Sequence, residues 1–452
     1  MPRLRSEIAI TPREVSFAYE PAVQNTVVGE SILSGENVKR WLFAIYLLFV
    51  EICSFRAGLI HARSNEPYII GDWLINYSGG FVRRGLIGTL VMMLHRLSGE
   101  SLNGVVFSMQ VVVFLLFLLG VYRLTKGMNW SYWMVAVLLS PATLAFTVLD
   151  PEHAGLRKEI LLFAALALVI WVLISDRLRD WQITIMLSVL LVGLTLSHEA
   201  LLIAAPYLFA AVAIQTMSLR RAIRICAIPF ALTGIAVVAV LVLHGNLATA
   251  QAVCRSVGGQ MAATGSVNGD GGICSGAIGS LQLTVSEEHA GIIEWIRAAH
   301  LPAVYGFFAI LTFAPLIVLM TKFYRRDGLR FEVVTVLGCA VVSLTGMFIL
   351  MYAGSDWGRW IHIQAMSLML LAMMLARKAV FEYPKATPPG PYPSAIRTVA
   401  ILGLLLYLTI WTLPATGAGL KNQGYLSLTS PKYRAGLLTL RAAAVSEIKK
   451  IG

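Results

Sequence analysis

The sequence predicts an all-α protein, a polytopic bundle of about ten (9–12) transmembrane helices, and two observations predict it. Hydrophobic residues make up 57% of the 452 positions and charged residues 13%, with a mean hydropathy of +0.74, which is more apolar surface than a soluble chain can bury. Apolar runs of membrane-crossing length also alternate with short Lys/Arg clusters, as cytoplasmic loops do under the positive-inside rule. The net charge of +12 therefore belongs to a membrane face and gives no sign of a nucleic-acid partner.

Each element follows from that alternation. Residues 1–39 are polar, lack a periodic apolar face and read as a cytoplasmic arm without a cleavable signal peptide. The span 40–61 enters from Lys39 and Arg40, and 102–124 ends on Arg123 and Lys126. With both basic ends cytoplasmic, residues 62–101 lie outside, and the apolar stretch 86–97, too short to cross, lies in the interface. The span 130–149 leads out to the turn DPEHAGLRKE at 150–159, and 160–174 returns to DRLRD at 176–180. Residues 181–217 form a doubled span with Ser197, His198 and Glu199 at its midpoint, ending in the cytoplasmic SLRRAIR. After 225–243 comes an external loop at 244–297, whose Gly/Ser-rich segment 257–276 has little core of its own. The spans 302–320, 333–352, 363–375 and 399–413 complete the membrane domain at 40–413, separated by KFYRRDGLR, the turn GSDWGRWIH and a short basic turn. The tail 414–452 is left outside.

Cysteine usage bears on this topology. Cys53, Cys226 and Cys339 fall within spans and read as small hydrophobes. Cys254 and Cys274 both fall in the long external loop, where a disulfide between them requires an oxidising compartment.

The unusual ionisable residues gather on the outer side. The stretch DWLINYSGGFVRRGL at 72–86 carries Asp72, Asn76, Tyr77, Arg83 and Arg84. The second outer turn carries Asp150, Glu152, His153, Arg157, Lys158 and Glu159; further on come His198 and Glu199, then Asp356, Arg359 and His362. Ionisable groups at span ends usually face an aqueous cavity, so one shared outward cavity is expected. Carboxylates there suit a general base, arginine forks suit phosphate, and Trp73, Tyr77, Trp357 and Trp360 suit sugar faces or an interfacial belt. Together these fit transfer of a sugar from a lipid phosphate to an acceptor hydroxyl. Asp72 is then the expected base, Arg83 and Arg84 hold the phosphate, and Asp150, Glu152 and His153 place the acceptor or an ion. Arg157, His198, Glu199, Asp356, Arg359 and His362 are the expected cavity wall. No His/Cys cluster has zinc spacing and no phosphate-cradling glycine loop occurs; a divalent cation is compatible with the carboxylates and not demanded by them.

Plainer readings stand beside these. Arg83 and Arg84 also suit anchoring to anionic headgroups, Asp72 suits a helix cap, His198–Glu199 suits an internally bonded helix break, and Asp356–Arg359 suits a local pair one helical turn apart.

The order of first span, outer loop with an early Asp, interfacial helix, two spans and an acidic second outer loop resembles the front half of the glycosyltransferase C superfamily. The resemblance covers roughly residues 40–175 and implies a polyprenyl-phosphate sugar donor, with Asp72 at the position of the first acidic catalytic residue and Asp150 and Glu152 at the second acidic motif. GGFVRRGL and DWGRWIH also resemble motifs of O-antigen polymerases and ligases, which implies movement of a whole lipid-linked oligosaccharide. Either resemblance gives as partners a polyprenyl-linked sugar or oligosaccharide, a glycan acceptor and the lipid bilayer of a bacterial inner membrane. A flippase or anion transporter competes. It would place charge near the midplane and show related halves, and only His198–Glu199 inside its doubled run points that way.

Overall fold

The computed structural model describes residues 35–128, 130–261, 272–298, 300–382 and 394–416, which are helical with no strand. The expected cytoplasmic arm up to residue 34 and the tail from 417 onward lie outside the described residues. So does most of the glycine-rich stretch between the two loop cysteines.

The chain opens with α1 (Gly35–Ser64), the short α2 (Ile69–Leu74), a 3-10 turn at Tyr77–Gly79 and α3 (Gly85–Ser98). The expected interfacial stretch is thus a helix, burying Gly85, Gly88 and Val91 and exposing Leu90, Met93 and Leu97. Next come α4 (Leu102–Leu124), α5 (Tyr132–Leu138), α6 (Phe146–Leu149), α7 (Glu159–Ser175), α8 (Asp180–Ser197), α9 (Ala205–Thr216) and α10 (Leu219–Val242). The long loop contributes α11 (Leu247–Ser256) and α12 (Val285–Ala298), and the chain continues through α13 (Leu301–Arg325), α14 (Arg330–Ala353), α15 (Trp357–Glu382) and α16 (Ser394–Thr409). Among the described residues eight helical stretches can cross a membrane by length and composition, one of them the continuous run Glu199–Thr216 that ends in α9; α3, α7 and α16 are apolar but shorter.

Two expectations need correction. The span 130–149 is not one helix but α5 and α6, because Pro141 has no N–H to donate and blocks the preceding turn. Thr143 Oγ1 donates to the carbonyl oxygens of Val137 at 2.8 Å and Ser140 at 3.1 Å, answering acceptors that the break exposes. The DWGRWIH turn shrinks to residues 354–356, since α15 already begins at Trp357 and carries Arg359 and His362 on its first turns. Either side of its Gly/Ser-rich segment the loop 244–297 has a core. Ala250, Val253, Ile278 and Leu281 are buried, and the Cys254–Cys274 disulfide joins its two halves.

The centre of the bundle is α15, which packs against α4, α5, α7, α9, α13 and α14. Its apolar stretch is 78% buried against 33% for α1, α8, α10 and α14, so it is walled by protein rather than lipid. Met366, Met369, Met373 and Met374 fill the irregular gaps between neighbours, as flexible thioethers do. Gln364 Oε1 accepts from the hydroxyls of Ser343 (2.9 Å) and Tyr207, tying α15 to α14 and α9. Each such interhelical bond is worth about 0.6 kcal/mol in a bilayer, so close packing carries most of the cohesion.

The inter-helix segments converge at one end. The disulfide-closed loop lies on the first one: the Ala277 N–H donates to the Pro67 carbonyl at 3.1 Å and Asn76 Nδ2 to Ser256 Oγ at 2.9 Å. A Cβ on Gly276 would meet the Pro67 carbonyl oxygen at 2.5 Å, so the approach needs glycine. Residues 411–416, past α16, return to the same end. There the Arg359 N–H donates to the Ala415 carbonyl at 3.1 Å and Tyr305 Oη to the Pro414 carbonyl at 3.2 Å.

Candidate functional site

Five basic side chains (Arg83, Arg84, Arg157, Lys158, Arg359) and five acidic ones (Asp72, Glu159, Glu199, Glu288, Asp356) meet where those segments converge. Arg84 sets the first arm. It stands just before α3 in the left-handed conformation, φ +67°, which a residue with a side chain rarely adopts without tertiary compulsion. From there its Nε donates to Glu199 Oε1 at 2.9 Å and its Nη2 to the same oxygen at 2.6 Å, while its own carbonyl accepts from Lys158 Nζ at 3.1 Å. Glu199 opens the 3-10 turn that follows the break at His198. Arg83 lies 4.0 Å from Glu199, donates to Glu288 at 3.4 Å and to the Ser280 carbonyl at 3.0 Å, and leaves its buried Nε without a partner.

The second arm runs through the turn before α7 and the start of α15. Arg359 donates to Glu159 through Nε at 2.7 Å and also pairs with Asp356, whose carboxylate lies 4.0 Å from Arg157. Arg157 Nε is buried and unpartnered. Beside it a cavity of about 20 Å³ is lined by Arg157, Glu159, Arg359 and His362 on one side and by Phe114, Phe117, Phe146 and Phe163 on the other. It has room for about one water.

Asp72 and Lys158 sit between the arms, 3.6 Å apart, with side chains 2% and 0% exposed. Burial alone would raise the Asp72 carboxyl. Lys158, His198, Arg84 and Arg157 outweigh it and hold the group at about 2. Burial pushes the Lys158 ammonium below its ordinary range, and Asp72 recovers only part of that while Arg84 opposes it. Both groups are shifted down, which favours the charged carboxylate but the neutral amine. The carboxylate decides the pair, because Lys158, Arg84 and Arg157 act on it in concert. Glu288 goes the other way: burial lifts its carboxyl above the usual carboxylate range although Arg83 pulls it down.

The remaining expected residues divide. Asp150 is buried, bonded to His153 Nδ1 at 2.9 Å and to the Ala415 N–H at 2.9 Å, and Glu152 is exposed. Asn76 is occupied in shaping its own turn, accepting from the Ser78 N–H at 2.9 Å. His198 lies in the helix break and accepts from the Ala200 N–H at 3.2 Å; Glu199, expected as its partner in the plain reading, lies 3.9 Å from its Nδ1 and takes its hydrogen bonds from Arg84. His362 Nδ1 bonds the Ala142 carbonyl at 2.8 Å, with its ring stacked on Phe146. Trp73, Trp357 and Trp360 are buried in the protein, and Trp73 Nε1 donates to the Leu156 carbonyl, so these three offer no face to a sugar. Tyr77, stacked on the exposed Phe81, keeps that capacity. Lys158, Glu159 and Glu288 were not singled out by sequence as site residues. The run SEEH at 286–289, two carboxylates in an otherwise Gly/Ser-rich loop, was the available signal for Glu288. Among the described residues no group of three or more His, Cys, Asp or Glu could hold a metal ion.

Fold and site together define a polytopic helical membrane protein with an ionic cluster sealed between its inter-helix segments. The chain belongs to the family described as uncharacterised membrane protein Rv1490, which matches residues 42–268. The match takes in Asp72, Arg83, Arg84, Lys158, Glu159 and Glu199 and stops before Glu288, Asp356 and Arg359. No curated protein and no solved structure matches the chain.

Proposed function

We propose that the protein is a membrane glycosyltransferase of bacterial surface-polysaccharide assembly, acting on the outer face of the inner membrane with a polyprenyl-linked sugar donor. The observation that carries this reading is the adjacent pair Arg83 and Arg84, held at the head of α3 beside two partly exposed carboxylates, Glu199 and Glu288. Two guanidinium forks suit the charge that develops on a leaving phosphate, and fixed donors in a dry site cost no reorganisation when it develops. The acceptor hydroxyl needs a carboxylate it can reach. Asp72, sealed against Lys158 and kept ionised, supplies a fixed field that orients the cations. Glu288, with a side chain 30% exposed and a raised carboxyl, has the access and basicity of a proton acceptor. Tyr77 and Phe81 offer the aromatic face for a sugar.

The test is the lipid-linked and polymeric glycan profile of cells lacking the protein, complemented with wild type or with the Arg83→Ala/Arg84→Ala variant. A truncated lipid-linked unit that only wild type repairs is the expected result. Accumulated single repeat units with loss of long chains assign movement of whole units instead, and unchanged glycans reject the carbohydrate reading.

A further inference from the structure

The arginine pair is already neutralised: two guanidinium charges face two carboxylates, Glu199 and Glu288. It is nevertheless one acceptor short, since Arg83 Nε is a buried donor with no partner. A carboxylate brings two acceptor oxygens to an arginine and a phosphoryl group brings three, so phosphoryl groups can satisfy what the carboxylates leave open. The carboxylates are also placed to move. Glu199 heads the 3-10 turn after the His198 break, with its side chain 22% exposed, and Glu288 lies on α12 of the disulfide-closed loop with its side chain 30% exposed; the Asp72 side chain by comparison is 2% exposed.

We propose that Glu199 and Glu288 are internal placeholders for the two phosphoryl groups of a diphosphate ester, which displaces both carboxylates from Arg83 and Arg84 when it binds. This rests on the donor reading above and narrows it. A sugar diphosphate ester of a lipid alcohol carries two negative charges, so exchanging it for two carboxylates leaves the buried charge balanced. A monophosphate ester carries one and leaves one carboxylate seated. Exchange of like for like avoids an uncompensated charge in a largely buried site. The same exchange releases Glu288 from Arg83 and frees it to take the acceptor's proton only when the donor is in place. Arg84 keeps its left-handed backbone in either state, because Lys158 still holds its carbonyl.

The experiment is binding of geranyl-diphosphate-glucose, geranyl-monophosphate-glucose and inorganic pyrophosphate to the purified full-length protein in detergent, by calorimetry; the two sugar esters carry two and one negative charges. The diphosphate ester should bind about tenfold tighter than the monophosphate, and Glu288→Gln should tighten it several-fold by removing a competitor. Glu199→Gln should do the same, and since Glu288 lies on the loop helix α12 with its side chain 30% exposed, Glu288→Gln keeps the test decisive if Glu199→Gln folds poorly. Arg83→Gln should abolish the preference for two phosphates. Equal affinity for mono- and diphosphate, or carboxamide variants that bind no tighter, overturns the exchange. Inorganic pyrophosphate binding as tightly as the geranyl ester upholds the exchange and assigns it to a free anion. Diphosphate preference with unchanged glycans in the deletion strain likewise upholds it while removing the glycosyltransferase reading.

Discussion

Arg84 and Glu199, 115 residues apart in sequence, meet in a two-pronged ion pair with contacts of 2.6, 2.9 and 3.0 Å. The pair joins the head of α3 to the break between α8 and α9, and Arg84 accepts backbone strain to make it. Removing one partner leaves the other charged, largely buried and unsatisfied, which costs more than the pair itself contributes. Arg84→Gln should therefore destabilise by about 2–3 kcal/mol, and Arg84→Gln/Glu199→Gln should recover much of the loss. Unfolding midpoints of both single variants and the double variant in detergent give the coupling; additive losses would mean that the two side chains do not depend on each other.

The Asp72 carboxyl predicts a pH dependence with a defined sign. Its folded value of about 2 lies below the ordinary 3.8, so its contribution to stability is fully present above about pH 4 and is lost as pH falls from 4 through 2. Nearly two units correspond to about 2 kcal/mol at neutral pH. Asp72→Asn should lower stability at pH 7 by about that amount, because Lys158 stays buried without its counter-ion, and should show a shallower loss below pH 4. Thermal midpoints from pH 3 to pH 7 check it, and parallel curves for variant and wild type would remove Asp72 from the account.

Much of the site was legible in the sequence because the residue types are out of place there. Asp72, Arg83, Arg84, Arg157, Glu199, Asp356 and Arg359 lie between apolar spans, where charge must find partners, and they do meet. What stayed hidden was direction and return. Hydropathy cannot tell whether Trp73 faces a cavity or the core, and it sees the 130–149 stretch as one run although Pro141 divides it. Nothing in residues 411–416 announces that Ala415 bonds both Asp150 and Arg359, since the segment matters only through a fold formed by the whole bundle.

If Glu288 accepts the proton of the acceptor hydroxyl, its raised carboxyl sets the acid side of the rate profile. Transfer should fall as pH is lowered through a value above 4.5, because the protonated group cannot act as a base. Glu288→Gln should cost about 10² to 10⁴ in kcat and remove that limb, with donor binding tightened. A Glu288→Gln enzyme with the wild-type rate and profile would return the role of base to Asp72.

The disulfide gives a prediction about both stability and compartment. Cys254 and Cys274 close a 20-residue separation, for which the loss of loop entropy from the unfolded chain is worth about 3 kcal/mol. That loop brings Glu288 to Arg83 and covers the first inter-helix segment, so its loosening reaches the site directly. Cys254→Ser/Cys274→Ser should leave the membrane bundle folded while exposing α11 and α12 to protease. Protein extracted from cells under alkylating conditions should show three reactive thiols before reduction and five after, because Cys53, Cys226 and Cys339 are free. Bond formation in the cell would set the loop, and with it the ionic cluster, on the oxidising side of the membrane. Five reactive thiols before reduction would set that end of the bundle in the cytoplasm and reverse the proposed orientation of the site.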